Sequence, residues 1–307
     1  MEWQDEGFII GLKQHGETGL IVELITPEHG RHKGLVRGGQ GRRLSPLMQA
    51  GNRVKAQWRA RLSEHMGQYR LEAVDFAAAR LMQKPLSLYA LQNVTSHLRL
   101  LPERDPHPAL YRLIPLLFEH FDRPLLAGEI FVRFEMRLLE ELGFGLDLSR
   151  CAATGKKAKI MPVQAGQNNE ALPRPGREAE LLAGHISTAE PVAKAGSRRP
   201  VAAAASPKPG DREEEVELAY VSPKSGRAVS FAAGAPWRDK LLSLPPFLLA
   251  AGQRAADFAA LQQAFQLTGF FLARHVWEPR GLAVPLFRAA FLQSLQAALA
   301  EDKRQAV

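Results

Sequence analysis

At 307 residues, 46% hydrophobic and 23% charged, the chain has a globular composition and the length for two domains, each with its own core. The net charge of +8 favours an anionic partner, although charge alone does not separate nucleic acid from an anionic membrane surface. A single cysteine, Cys151, excludes an internal disulfide framework and points to a reducing compartment.

The acidic start Met1–Glu6 lacks the order of a secretory leader, and no apolar run reaches the roughly 18 residues of a membrane span, so a cytoplasmic protein is expected. The first eighty or so residues read as short strands broken by turns. Phe8–Leu12, Leu20–Thr26, Lys33–Val36, Arg53–Leu62 and Tyr69–Phe76 are the candidates. Five short strands in about 75 residues predict a small barrel with the strand count of an OB-fold.

From His29 to Ser63 the chain carries nine basic residues and no acid: Arg31, Lys33, Arg37, Arg42, Arg43, Arg53, Lys55, Arg59 and Arg61. Along Arg53–Arg61 cations alternate with Val54, Ala56, Trp58 and Ala60, so a strand would turn the latter to a core and the former outward. Arg42 and Arg43 close a glycine-rich loop that begins at Arg37. A one-signed sheet face beside a flexible basic loop is the footprint of a phosphate-backbone binder, whereas a merely solvated face mixes signs. Trp58 is expected in the core, and Trp3 and Tyr69 are looser candidates for base stacking.

After Arg80 the hydrophobic period becomes helical. A helix from Pro85 carries Leu88, Leu91, Val94 and Leu98, and a second starts at Pro108. A third, about Ala127–Leu142, repeats Phe131, Phe134, Leu138 and Leu142 and stops at Gly143. From about 155 to 217 the chain is rich in Ala, Gly, Pro, Lys and Glu and lacks aromatic residues, so a disordered insertion is expected there. Val201–Ala205 could turn helical only transiently between Pro200 and Pro207. A hairpin of Leu218–Val221 with Ala228–Phe231 follows, then a short helix around Lys240–Ala250 and long helices over Asp257–Trp277 and Pro285–Ala300. The expected organisation is a barrel domain at 1–80 and a mainly helical domain at 81–307 interrupted by the insertion.

No constellation for catalysis emerges. Cys151 has no histidine nearby in sequence, and packing is the expected role of a lone buried thiol. Glu28, His29 and His32 have a spacing that could hold a metal, but they sit at a turn and lack the helical metalloprotease pattern. They are expected to be surface or phosphate-facing groups. Gly38-Gly39-Gln40-Gly41 lacks the Lys-Ser/Thr of a P-loop and the strand–helix setting of a dinucleotide site. Arg133 and Arg137, like Arg274, Arg280 and Arg288, read as solvated helix edges.

The order Glu17, Leu24-Ile25-Thr26, Gly30-Arg31, Arg37-Gly38, then Arg133-Phe134-Glu135, Leu138-Leu139, Leu142-Gly143-Phe144-Gly145 and Cys151, resembles the RecO family. The tail from Phe270-Phe271-Leu272 through Arg288 is similar to the last helices of that family. The resemblance implies an amino-terminal OB-fold, a helical carboxy-terminal domain and a non-enzymatic role in recombinational repair. It implies binding of single- and double-stranded DNA, annealing of complementary strands and partnership with RecR and, in many bacteria, RecF. It further implies help for RecA in replacing single-stranded DNA-binding protein, whose acidic, hydrophobic-ended tail is engaged. Arg133, beside Phe131, Phe134 and Leu142, is the expected seat of that tail.

Some members of the family hold zinc with two Cys-x-x-Cys pairs. The matching positions here are Cys151 and Thr154, then Ser230 and Ala233, so three of four thiolates are missing and no cofactor is expected. The rival reading of the barrel is an RNA-binding OB protein of translation or RNA processing, because the same basic face would serve it.

Overall fold

The computed structural model describes residues 1–159, 215–249 and 256–305. Two compact units are present, Met1–Gly145 with Thr268–Val307, and Leu146–Leu267. This grouping by contacts places the barrel and the helices that follow it in one unit. Residues 160–214 of the expected insertion, including Val201–Ala205, lie outside the described residues.

The first unit starts with strands β1 (Glu2–His15), β2 (Gly19–Thr26), β3 (Gly30–Val36), β4 (Arg53–Arg59) and β5 (Gln68–Asp75). They close in the order β1-β2-β3-β5-β4. The contact between β3 and β5 is parallel and the other pairings are antiparallel, which gives the five-stranded OB-fold barrel. β1 is longer than its apolar run because it serves two neighbours. Glu2–Phe8 pairs with β4 and Phe8–His15 with β2, and a bulge between Ile9 and Gly11 lets the strand bend from one to the other.

Ile9, Val22, Leu24, Val36, Val54, Ala56, Trp58, Tyr69 and Leu71 fill the interior, with Leu47 and Met48 packed against them from the β3–β4 loop. Each large side chain buried there contributes about 1.5–3 kcal/mol. The run Phe8-Ile9-Ile10 does not alternate because both faces of β1 are covered: Phe8 packs outward on Tyr111 and Phe118 at 5.5 and 5.6 Å between ring centres.

Helices α1 (Ala77–Leu81), α2 (Pro85–Leu98), α3 (Pro108–His120) and α4 (Pro124–Glu141) follow. The last three each open on a proline in the first turn, where its missing N–H leaves no bond unmade. Helix α4 ends in a Schellman motif: Gly143 N–H donates to the Glu140 carbonyl, Phe144 N–H to that of Leu139, and Gly143 takes φ +86°.

Gly30, at the start of β3, has φ +60°, and a Cβ there would stand 1.9 Å from the Asp105 carbonyl oxygen. Glycine is therefore required where the segment 99–105 crosses the barrel. Arg104 N–H donates to the Arg31 carbonyl, and the Arg104 guanidinium caps the carbonyls of Ser63, Glu64 and His65.

Three further helices are α5 (Phe231–Gly234), α6 (Phe258–Leu272) and α7 (Leu286–Gln305). Helix α7 packs on α2 and α4. The expected helix over Asp257–Trp277 changes to a π turn at Ala273–Trp277.

One polar cluster lies inside the helices of the first unit. Glu135 of α4 is fully buried and accepts from Arg288 Nε and Nη2 of α7 at 2.7 and 2.9 Å, and from the hydroxyl of Thr268. His97 Nε2 of α2 lies 3.3 Å from the same carboxylate, while its Nδ1 donates to the Asn93 carbonyl. Arg288 is thus no solvated helix edge, and Arg280 donates to the Leu100 carbonyl at 2.7 Å.

In the second unit, β6 (Leu218–Val221) pairs with β7 (Ala228–Ser230) as the expected hairpin, and β8 (Leu242–Ser243) joins the other edge of β6. The short helix expected at Lys240–Ala250 is not formed over its described part. Leu242 and Ser243 bond to β6 instead, and Pro245-Pro246, lacking N–H donors, leaves only a 3₁₀ turn at Pro246–Leu248.

Candidate nucleic-acid interface

Strand β4 has the alternation expected of it: Val54, Ala56 and Trp58 are buried, while Lys55 and Arg59 are exposed. Its neighbours change the electrostatic reading. Lys55 is flanked by Glu6 of β1 and Glu72 of β5, and Arg59 by Glu2 and Gln68. Arg53 pairs with Glu6 at 2.7 Å and lies over the Phe8 ring. The outer face of this part of the sheet therefore mixes signs, in contrast to the single sign expected from the strand alone.

Two more of the nine cations are engaged under the 99–105 segment. Arg31 donates to the buried Glu23 carboxylate at 2.6 Å, and Arg99 donates to its other oxygen at 2.9 Å. Lys33 pairs with Glu103, which also lies 3.6 Å from Arg31. These acids come from β2 and from the segment after α2, outside the stretch that looked free of negative charge.

The remaining cations concentrate elsewhere. Arg37, Arg42 and Arg43 are exposed on the β3–β4 loop and make no ion pair among the described residues, and Arg61 is exposed on the β4–β5 loop. Beside the basic loop runs a groove of about 480 Å³ whose lining sets three cations, Arg37, Arg43 and Arg70, against one acid, Glu72, with Gln68 and the edge of the buried Tyr69 between them. Arg70 was missed in the sequence reading, although the outward alternation Gln68, Arg70, Glu72 on β5 carries the signal.

Base stacking finds little support on the barrel. Trp58 and Tyr69 are buried, and Trp3 is stacked between His29 at 4.0 Å and Trp58 at 5.7 Å. His32 is buried against the Tyr69 hydroxyl at 3.0 Å and is not phosphate-facing. Burial, with Arg104 adding to it, lowers its pKa to about 4, so the ring is neutral at physiological pH.

Comparison with known proteins places this geometry in a family. The model described as Recombination protein O N terminal matches residues 1–76, and that described as Recombination protein O C terminal matches residues 87–187. A DNA repair protein RecO of Brucella abortus is 46% identical over 299 residues, 97% of this chain and 98% of the relative. The chain belongs to the RecO family. RecO relatives from Rhizobium leguminosarum bv. trifolii and Bartonella henselae are each 45% identical, over 97% and 95% of this chain and 94% and 92% of the respective relatives.

Within this RecO chain, the residues expected to receive a partner's tail do not form a surface pocket. Phe131 and Phe134 are fully buried, and Phe131 packs on Phe291 at 5.1 Å. Arg133 is 8% exposed and donates to Glu129 at 2.8 Å. Leu142 is half-buried at the helix end. The apolar stripe is core because α4 is covered on most of its circumference: Ile130 through Glu135 are all buried.

Cys151, Thr154, Ser230 and Ala233, the four positions expected to stand where a zinc knuckle would be, come together in the second unit. Cys151 Sγ accepts from the Ser230 N–H at 3.2 Å and lies 3.4 Å from the Ser230 hydroxyl, which accepts from the Ala233 N–H. Burial raises the thiol's pKa, but hydrogen bonds from Ser230 and Thr154 outweigh it and draw the pKa down. The sulfur thus serves as a hydrogen-bond acceptor that ties residue 151 to the start of α5.

Proposed function

We propose that this chain is a non-enzymatic DNA-binding protein of recombinational repair. It binds single- and double-stranded DNA with little sequence preference and anneals complementary strands. With RecR, and RecF where present, it helps load RecA onto DNA covered by single-stranded DNA-binding protein. Its helical part receives the acidic tail of that protein. The hairpin of the second unit holds without a metal, and the hydrogen bond from the Ser230 N–H to Cys151 supports this reading.

The observation that carries this reading, beside the family, is the loop of exposed cations next to the Arg37–Arg43–Arg70 groove. Its contacts suit phosphates, because the barrel's tryptophans and Tyr69 offer no free stacking face. Phosphate contacts fix position and carry little sequence information, which is what annealing of arbitrary strands requires. A cationic surface also offsets repulsion between two polyanions while leaving base edges free.

The test is strand annealing with and without single-stranded DNA-binding protein, beside affinity for matched DNA and RNA oligonucleotides. Annealing should be accelerated in both conditions, and log affinity should fall with log salt at a slope of roughly −3.5 for about five phosphates. A salt-insensitive affinity, or a strong preference for RNA, would overturn the proposal.

A further inference from the structure

We propose that Asp5, Glu28 and His29 form a binding site for a divalent first-row transition metal, of which zinc is the representative. The three are brought together by the barrel: Asp5 lies on β1, and Glu28 and His29 form the turn between β2 and β3. One donor atom from each lies within 4.8 Å of the others. The sequence motif pairs His29 with His32, but His32 turns inward to Tyr69, and Asp5 supplies the missing ligand from a remote strand.

The spacing suits one shared ion. Asp5 Oδ2 and His29 Nδ1 share a hydrogen bond at 3.1 Å, and an ion taking the place of its proton, which leaves to solvent, would keep that separation. Two donors on the same zinc, each at about 2.0–2.1 Å, are separated by roughly 2.9–3.4 Å at tetrahedral to octahedral angles. The Glu28 carboxylate is exposed and swings in from the turn, leaving the remaining positions to water.

The ligands are also held in place by their surroundings. Asp5 Oδ1 accepts from the Glu6 N–H at 2.8 Å, and Oδ2 accepts from the Glu28 N–H at 3.2 Å. The His29 N–H donates to the Thr26 hydroxyl at 3.1 Å, and its ring stacks on Trp3 at 4.0 Å. Such outer contacts orient first ligands and raise metal affinity. An imidazole with two carboxylates selects zinc, cobalt or manganese over magnesium and calcium, whose preferred donors are all oxygen. The bound ion would clamp β1 to the β2–β3 turn.

The test uses the full chain without any affinity tag, stripped by chelator and titrated with zinc alone by calorimetry at neutral pH. One zinc should bind, with magnesium failing to compete. Glu28→Gln and His29→Gln should each weaken binding at least about tenfold, with unchanged circular dichroism. Glu28 is exposed, so its variant keeps the test valid if the histidine variant misfolds. Cobalt should give ligand-field bands without thiolate charge transfer, and Cys151→Ser should bind as the parent does. Absence of binding, binding undiminished in Glu28→Gln, or binding lost in Cys151→Ser would each overturn the proposal.

Discussion

Replacing Arg37, Arg42 and Arg43 together by alanine should lower affinity for single-stranded DNA roughly a hundredfold near 0.1 M salt. Each phosphate contact on a single strand contributes about 0.7 to the log–log salt slope, so one contact is worth about fivefold at that salt, and three multiply. The slope itself should become shallower by about 2. All three side chains are exposed on the β3–β4 loop and hold no ion pair among the described residues, so the fold loses nothing by their removal. Lys55→Ala is the matched control. Its charge is already flanked by Glu6 and Glu72, and its loss should change affinity less than threefold. Filter binding or fluorescence anisotropy across a salt series decides the matter. Equal effects at Lys55 and at the loop would return the interface to the β4 face.

Glu135→Gln should destabilise the first unit by about 3–5 kcal/mol, because it removes the buried carboxylate charge to which Arg288 makes two hydrogen bonds. For a unit of this size that is a fall in thermal midpoint on the order of ten degrees. Removing both charges, as Glu135→Leu with Arg288→Met, should cost less than the single change, since the guanidinium leaves with the carboxylate it faces.

Acid should reveal the same contact. Burial alone would raise the Glu135 carboxyl, but the charge and hydrogen bonds of Arg288, with His97, hold its pKa at about 2 against 4.5 in the unfolded chain. A lowered folded pKa means that the contribution is complete above 4.5 and disappears as pH falls toward 2. Melting curves of the parent and Glu135→Gln should therefore converge across that window. Parallel curves would show that the carboxylate adds no stability.

Much of this chain could be read from its residues. The alternation at Arg53–Arg59 located β4 and its inward side, the prolines at 85 and 108 marked helix starts, and Gly143 marked a stop. Charge was harder, because a window along the chain sees only its own members. Lys55 comes opposite Glu6 only once β1 pairs with β4, and Lys33 meets Glu103 only once the segment after α2 crosses the barrel. The Phe131–Phe134 stripe was legible as apolar, but period alone does not distinguish a helix with one covered face from a helix enclosed by neighbours. The nearness of Asp5 to Glu28 and His29 was invisible for the same reason, since all of β2 separates them in sequence.

The double pairing of β1 also bears on the order in which the barrel forms. Its second half meets β2 across a tight turn and needs only a short loop to close, whereas Glu2–Phe8 must await Arg53–Arg59. Loop-closure entropy places the local hairpin first and the β1–β4 seam late. Pulse-labelled hydrogen exchange during refolding should find Val22 and Glu23 protected before Trp3 and Asp5, whose parity along β1 is that of Met1 and Ile9, which bond across to the β4 side; simultaneous protection would count against this order. During synthesis, then, Glu2–Phe8 leave the ribosome before the strand that pairs with them exists, and Trp3 has only the His29 ring to stack on until β4 brings Trp58.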